Sequence, residues 1–234
     1  SRLPQDGSHR WQLLGAAISA RISTLPGMSG EQLVLRLFSV GHGALSLEEV
    51  GLAREQLACV RGALAQPEGL VVIAGPTGSG KSSTLHAMVE ELTGLGRSIV
   101  MAEDPVERSI AGVHQLQVSK AYGLGFSDLL KQMLRQDPDV IVVGEIRDSE
   151  TAKLALMAAQ TGHLVLATVH CVSVEEIGRR LLGLGCEEVG LLACCHCKVA
   201  QRLVRLVCKL CSGRGCKVCC GGFKGRRGLF EVMG

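Results

Sequence analysis

Gly75-Pro-Thr-Gly-Ser-Gly-Lys81-Ser82 sets three glycines ahead of a lysine and a hydroxyl, a spacing whose chemistry is the binding of a nucleoside triphosphate. The glycines let the backbone curl so that successive N–H groups point inward at phosphate oxygens. Lys81 can neutralise the β- and γ-phosphates, and the Ser82 hydroxyl can ligate Mg²⁺. The candidate contacts are Gly75, Pro76, Thr77, Gly78, Ser79, Gly80, Lys81, Ser82 and the following Ser83. A glycine-rich turn alone would be weak evidence, but the context is the required one. Leu70-Val-Val-Ile-Ala74 reads as a buried strand, and Leu85, Met88, Val89 and Leu92 recur at helical spacing. The loop thus joins a strand to a helix whose amide-rich N-terminus faces the phosphates.

Carboxylates supply the second half of such a site. Asp137-Pro-Asp-Val-Ile-Val-Val-Gly-Glu145 is an apolar strand ending in an acid, placed to hold the Mg²⁺ hydration shell opposite the loop. Met101-Ala-Glu103-Asp104-Pro-Val-Glu107 puts further acids at the end of another strand, with Glu103 the leading candidate to orient or deprotonate an attacking water. Acids at strand ends also serve as helix caps or solvated loop charges. Thr161-Gly-His163-Leu-Val-Leu-Ala-Thr-Val-His170 sets a histidine at each end of an apolar strand. Their odd separation sends the two rings to opposite faces, leaving His170 as a γ-phosphate sensor and His163 as a core residue.

Eleven cysteines without a secretory signal point to metal or buried thiols rather than disulfides. Cys59, Cys171 and Cys186 are isolated and read as apolar filler, whereas Cys208-Lys-Leu-Cys211 and Cys216-Lys-Val-Cys219 are paired knuckles able to offer four thiolates to one Zn²⁺. Only Ser212-Gly-Arg-Gly215 separates them, and Cys194, Cys195, Cys197 and Cys220 could compete for metal or simply pack.

The elements that position these groups follow from periodicity. Residues 18–24 and 32–38 read as strands around the Pro26–Gly30 turn, and Ser46-Leu-Glu-Glu49 resembles a capping box opening a helical region toward Ala65. The domain junction is expected there, giving 1–65 and 66–234, with a knuckle at 208–220. Beyond Gly69, strands at 70–74, 98–102, 140–144 and 163–169 alternate with helices at 81–93, 126–135, 148–160 and 173–183, which implies an α/β fold with a mainly parallel sheet. The ligand is then expected at the carboxyl ends of the strands. At 47% hydrophobic residues the chain can bury a sizeable core, and no apolar run reaches the ~18–20 residues of a membrane span, so it is read as soluble and cytosolic. A net charge of +3 is uninformative, but no acid lies between Glu188 and Glu231, a basic stretch suited to nucleic acid, anionic lipid or an acidic partner. An aromatic content of 3% argues against a single-strand stacking platform.

Together these motifs resemble the hexameric secretion ATPases that drive type II secretion and type IV pilus assembly, with competence DNA-uptake motors close by. The resemblance covers nearly the whole chain. It rests on Gln5-Asp6-Gly7, Arg21-Ile-Ser-Thr-Leu-Pro26, Gly30-Glu31 with Leu35-Arg36, the phosphate loop, the aspartate box Glu103–Glu107, the Gly144–Asp148 strand end, the histidine box Thr161–His170, Gln201–Arg205 and the tetracysteine segment. Ser8, where a basic residue is usual, and the short spacer between the knuckles depart from the pattern.

That resemblance implies a small N-terminal α/β (PAS-like) domain on a RecA-like ATPase domain, assembled as a hexameric ring with ATP between domains and subunits. It implies that Arg21 and Arg36 contact the γ-phosphate when the domains close, a use suited to guanidinium groups. It further implies Mg²⁺-dependent hydrolysis, a Zn²⁺ at the four cysteines, and partnership with an inner-membrane platform protein and a cytosolic adaptor, at the inner face of the cytoplasmic membrane. A nucleic-acid-stimulated motor, as in competence, is the alternative. Retraction relatives generally lack the tetracysteine segment, which favours assembly or secretion. Relatives are expected to carry a longer N-terminal docking segment and further helices past the position of Gly234.

Overall fold

The computed structural model describes residues 3–13, 16–40, 45–119 and 122–234, which fall into two compact units dividing after Gly43. The first is an antiparallel sheet of three strands in the order β1 (Gln5–Leu13), β2 (Ala16–Gly27) and β3 (Gly30–Val40). The β2–β3 register runs from Gly27 opposite Gly30 to Ala17 opposite Val40, so the Pro26–Gly30 segment turns the chain as its composition predicts. β1 is an additional strand that the polar sequence Gln-Asp-Gly-Ser-His-Arg does not advertise.

The second unit is built on a seven-stranded sheet in the order β10-β9-β4-β8-β7-β5-β6. Its strands are β4 (Gly69–Ala74), β5 (Ile99–Glu103), β6 (Val113–Gln117), β7 (Val140–Val143), β8 (Leu164–Val169), β9 (Cys195–Val207) and β10 (Phe223–Met233). All neighbours are parallel except the β9–β10 pair at one edge. β4, β5, β7 and β8 are buried along their whole length, which explains why they read as unbroken apolar runs rather than alternating ones.

Helices cover both faces. Val71, Ile73, Val140, Val142, Leu164 and Leu166 pack with Val60 and Leu64 of α1 (Arg54–Leu64) and with Leu85, Met88, Val89 and Leu92 of α2 (Lys81–Thr93). The alternate residues, Leu70, Val72, Ile141, Val143, Val165 and Ala167, pack with α3 (Phe126–Met133), α4 (Ser149–Gln160), α5 (Val174–Gly183) and α6 (Glu188–Cys194).

The expected domain junction near residue 65 requires correction. The capping signature at Ser46–Glu49 does form, with Glu49 Oε2 accepting from the Ser46 amide at 2.9 Å, but it closes a single turn. Gly51 at φ +107 then breaks the chain, and α1 starts at Arg54. The Gln56 side chain accepts from the Ala53 amide at 3.0 Å and donates to the Phe230 carbonyl of β10 at 2.8 Å, so the helix belongs to the large unit. Among the described residues no helix is long and apolar enough to cross a membrane.

Ile141, fully buried in β7, lies in the core cluster that includes residues of α3 and α4. Ile141→Ala is expected to lower the unfolding free energy of the large unit by about 2–5 kcal/mol in urea titration; a loss below about 1 kcal/mol would contradict this packing.

Candidate functional site: a phosphate loop ringed by strand-end acids

Buried polar side chains mark where the apolar fold is interrupted. Among the described residues they are Ser79, Thr84, His86, Glu103, Thr151, Thr168 and Gln201. Thr151 is held by the N-cap of α4, its amide and hydroxyl donating to Asp148 at 2.8 and 2.9 Å. The others lie on the phosphate loop, on α2 behind it, or at the ends of β5 and β8 and within β9.

The loop leaves β4 at Gly75 and enters α2 through Gly80, which is left-handed at φ +91. Two of its glycines are demanded by crowding. A Cβ on Gly75 would lie 2.4 Å from Ser79 Oγ and 2.5 Å from the Gln201 carbonyl, and one on Gly80 would lie 2.8 Å from Gln201 Nε2. Gln201 is also the partner of Thr84, whose hydroxyl donates to its Oε1 at 2.7 Å. Pro76, Thr77, Gly78, Ser82 and Ser83 are exposed, whereas Ser79 is buried and its hydroxyl has no hydrogen-bond partner. A curled loop with an orphaned hydroxyl and no acid in the first turn of the helix fits an anion. Lys81 Nζ donates to the Gly75 and Pro76 carbonyls at 2.7 and 3.2 Å. Partial burial pushes its ammonium below the ordinary lysine range, while the negative charge of Glu145, and then Cys171, acts the other way.

Glu145 lies just past β7. Its two oxygens are shared between His170 Nε2 at 2.9 Å and an Arg147 guanidinium nitrogen at 2.7 Å. The Arg147 guanidinium also reaches Asp104 at 3.5 Å, and its hydrogen bond to Glu145 raises its pKa. The ends of β7 and β8 are tied by the Thr168 hydroxyl donating to the Gly144 carbonyl at 2.5 Å and by the Ile146 amide donating to the Thr168 carbonyl at 2.9 Å. Gly144 is needed there, because a Cβ would lie 2.8 Å from the Ala102 carbonyl of β5. The structure therefore gathers Lys81, Glu145 and His170 into one electrostatic centre. His163 faces elsewhere, its Nδ1 3.2 Å from the Ala158 carbonyl of α4. Glu103 is buried, with His86 Nε2 2.7 Å from Oε1 and Gln115 Nε2 donating to Oε2 at 2.8 Å. Arg21 and Arg36 stand opposite one another in the β2–β3 register of the first unit. Arg147, His86 and Gln201 escape a sequence reading of the site. Arg147 and Gln201 lie inside recognisable motifs, but their partners are distant in the chain, and His86 looks like any residue on a helix.

A cavity of about 610 Å³ opens beside Gly80, Ser83 and Thr84, with Glu48, Glu49, Arg226 and Arg227 on its walls. It is large enough for the base and sugar of a nucleotide whose phosphates lie on the loop.

The tetracysteine segment forms the tip of the β9–β10 hairpin. The Sγ atoms of Cys208, Cys211, Cys216 and Cys219 all lie within 4.8 Å of one another, with pairs at 3.9, 3.7 and 3.5 Å. Four sulfurs about 2.3 Å from a tetrahedral metal are about 3.8 Å apart, so the set fits Zn²⁺. Burial raises the Cys219 thiol, but amide hydrogen bonds at Cys216 and Gly222 and the neighbouring thiols outweigh it and bring it down to about 7. Gly222 packs its backbone onto Gly213 so closely that a Cβ would lie 2.1 Å from the Gly213 carbonyl, and this closes the short spacer. Cys194, Cys195 and Cys197 pack in the fold outside this cluster, and Cys220 is exposed.

Residues 1–234, the whole chain, match the family model described as type II/IV secretion system protein. The chain belongs to that family. Among family members, it is 44% identical over 254 residues to the protein transport protein HofB homolog of Escherichia coli, a match spanning 99% of this chain and 55% of that protein. It is 39% identical over 256 residues to type II secretion system protein E of Klebsiella pneumoniae (99% and 51% covered) and 37% identical over 260 residues to the type IV pilus assembly ATPase PilB of Pseudomonas aeruginosa (99% and 46% covered). The chain thus spans about half the length of the curated relatives it matches. The fold resembles the Legionella pneumophila ATPase DotB, with a TM-score of 0.77 at 26% identity over 99% of this chain and 63% of that one. It also resembles the pilus retraction motor PilT with bound ADP, with a TM-score of 0.76 at 27% identity over 98% and 63%. The RecA-like α/β architecture with a mainly parallel sheet and a tetracysteine cluster is thereby established.

Gln201→Leu would strand the Thr84 hydroxyl beneath the loop. The variant is expected to lose about 1–3 kcal/mol of stability in chemical denaturation, and an unchanged midpoint would show that Gln201 does not hold the loop.

Proposed function

We propose that this chain hydrolyses Mg²⁺-bound ATP and that the hydrolysis drives pseudopilus or pilus assembly, in type II secretion or type IV pilus biogenesis, as a subunit of a hexameric ring. The observation that carries the reading is the phosphate loop itself. It holds an orphaned buried hydroxyl and a lysine whose Nζ donates to the loop carbonyls, and it lies beside a strand-end acid paired with a histidine.

In this reading the amides of Gly75–Ser83 cradle the phosphates and Lys81 turns from the Gly75 and Pro76 carbonyls onto the β/γ oxygens. Ser82 and, through water, Glu145 would hold the Mg²⁺, which supplies charge neutralisation to the triphosphate. Glu103 orients the attacking water and His170 reads the γ-phosphate. Arg21 and Arg36 supply positive charge when the N-terminal domain closes over the nucleotide. The family's secretion and pilus members support the assembly role. Partners would be further copies of the chain, an inner-membrane platform protein and a cytosolic adaptor, with the motor held at the inner face of the cytoplasmic membrane through them.

Lys81→Ala is expected to abolish ATP turnover in a phosphate-release assay, and Glu103→Gln to keep nucleotide affinity while hydrolysis falls at least about 100-fold. Full turnover in purified Lys81→Ala protein would overturn the enzymatic reading.

The four cysteines are proposed to bind one Zn²⁺ that staples the β9–β10 tip. Metal analysis is expected to find one zinc per chain, lost in Cys216→Ser. Sub-stoichiometric zinc in protein never exposed to chelator, with four free thiols, would refute the site.

A further inference from the structure

Glu103 is the acid that the proposed mechanism asks to orient water, and its carboxylate is fixed by a closed ring of side chains in which His86 is the keystone. His86 projects from α2, one turn past the phosphate loop, and is 4% exposed. Arg108 Nε lies 3.2 Å from His86 Nδ1. A guanidinium can only donate, so Nδ1 accepts, the ring proton lies on Nε2, and Nε2–H donates to Glu103 Oε1 at 2.7 Å. The opposite oxygen accepts from Gln115 Nε2 at 2.8 Å. Gln115 closes the ring by donating to the Arg108 carbonyl at 2.8 Å and accepting from the Ile110 amide at 2.8 Å. Arg108 is itself anchored by Glu90, one turn along α2 from His86, at 2.7 Å.

We infer that His86 is a positioning residue for the hydrolytic carboxylate, with Arg108 setting its tautomer. The inference rests on the reading of Glu103 as the water-orienting acid. A carboxylate offers about four lone-pair sites. One donor on each oxygen fixes its plane and rotation and leaves acceptor capacity on both oxygens for a water. His86 also couples that carboxylate to the helix that carries Lys81 and Ser82, so loop and acid keep a constant separation. Misplacing a reacting group by about 1 Å costs on the order of 100-fold in rate.

The test is steady-state ATP hydrolysis and fluorescent-nucleotide affinity for His86→Leu, His86→Gln and Arg108→Met. Leucine fills the space without donating, and glutamine can accept from Arg108 or donate to Glu103. His86→Leu is expected to lower kcat by about 10- to 100-fold with nucleotide affinity within twofold of the parent. His86→Gln is expected to recover to within about threefold, with Arg108→Met between them. The inference is overturned if His86→Leu keeps its kcat, if affinity falls as far as rate, or if glutamine rescues no better than leucine. Should His86→Leu fail to fold, His86→Asn replaces it, because its shorter amide cannot reach Glu103; equal rates for Asn and Gln would then overturn the inference. Full turnover in Glu103→Gln would instead refute the underlying assignment of Glu103, a result the His86 variants cannot produce.

Discussion

The approach of β9 to the phosphate loop is the contact on which the site depends. Gln201 lies where its carbonyl and side-chain amide occupy the space that Cβ atoms on Gly75 and Gly80 would need, and its Oε1 takes the Thr84 hydroxyl. The loop is therefore gripped at both ends and behind its helix by a single residue. β9 can present that residue because it pairs in parallel with β4 along Leu70–Ala74 while β8 pairs with the other edge of β4. With both edges and both faces of β4 covered, the strand's end has one position, and so does the start of the loop.

Around that fixed loop, three strand ends supply three kinds of chemistry. β7 brings Glu145, whose charge the Lys81 ammonium senses; β8 brings His170, which shares that acid; β5 brings Glu103, which is turned toward α2 and held there. The Thr168 hydroxyl donating to the Gly144 carbonyl and the Gly144 amide donating to the Ala102 carbonyl keep the three ends in step. A bound triphosphate would enter an arrangement in which its counter-charges are already oriented, the condition under which electrostatic stabilisation costs no reorganisation during reaction.

Much of this was legible in the amino-acid sequence because the loop, the acid-terminated strands and the paired knuckles are local patterns. The fully buried strands announced themselves as apolar runs, and α2, α4 and α5 fell within a residue or two of their predicted bounds. What stayed hidden were pairings across the chain. β10 is the edge strand and β9 its neighbour, and both carry a lysine or arginine every few residues, so neither alternation nor an apolar run betrays them. β6 mixes polar and apolar positions at the opposite edge, and α6 spans only 7 residues. The domain junction was misplaced because Ser46–Glu49 has the chemistry of a helix start, and only Gly51 and the pairing of Gln56 with β10 reveal that the helix begins later and packs with the large sheet. His86 illustrates the limit most sharply, since its meaning lies wholly in Glu103 and Arg108, brought to it by β5 and the segment after it.

The central claim is that the loop and the strand-end acids form one triphosphate site in which Lys81 meets the β/γ oxygens. A crystal structure with Mg²⁺ and a non-hydrolysable ATP analogue tests it most directly. The account predicts Lys81 Nζ released from the Gly75 and Pro76 carbonyls onto the β/γ oxygens, Ser79 Oγ satisfied, and Glu145 facing the metal's water shell. A nucleotide bound away from Gly75–Ser83, or one on the loop with Lys81 still on its backbone carbonyls, would contradict it.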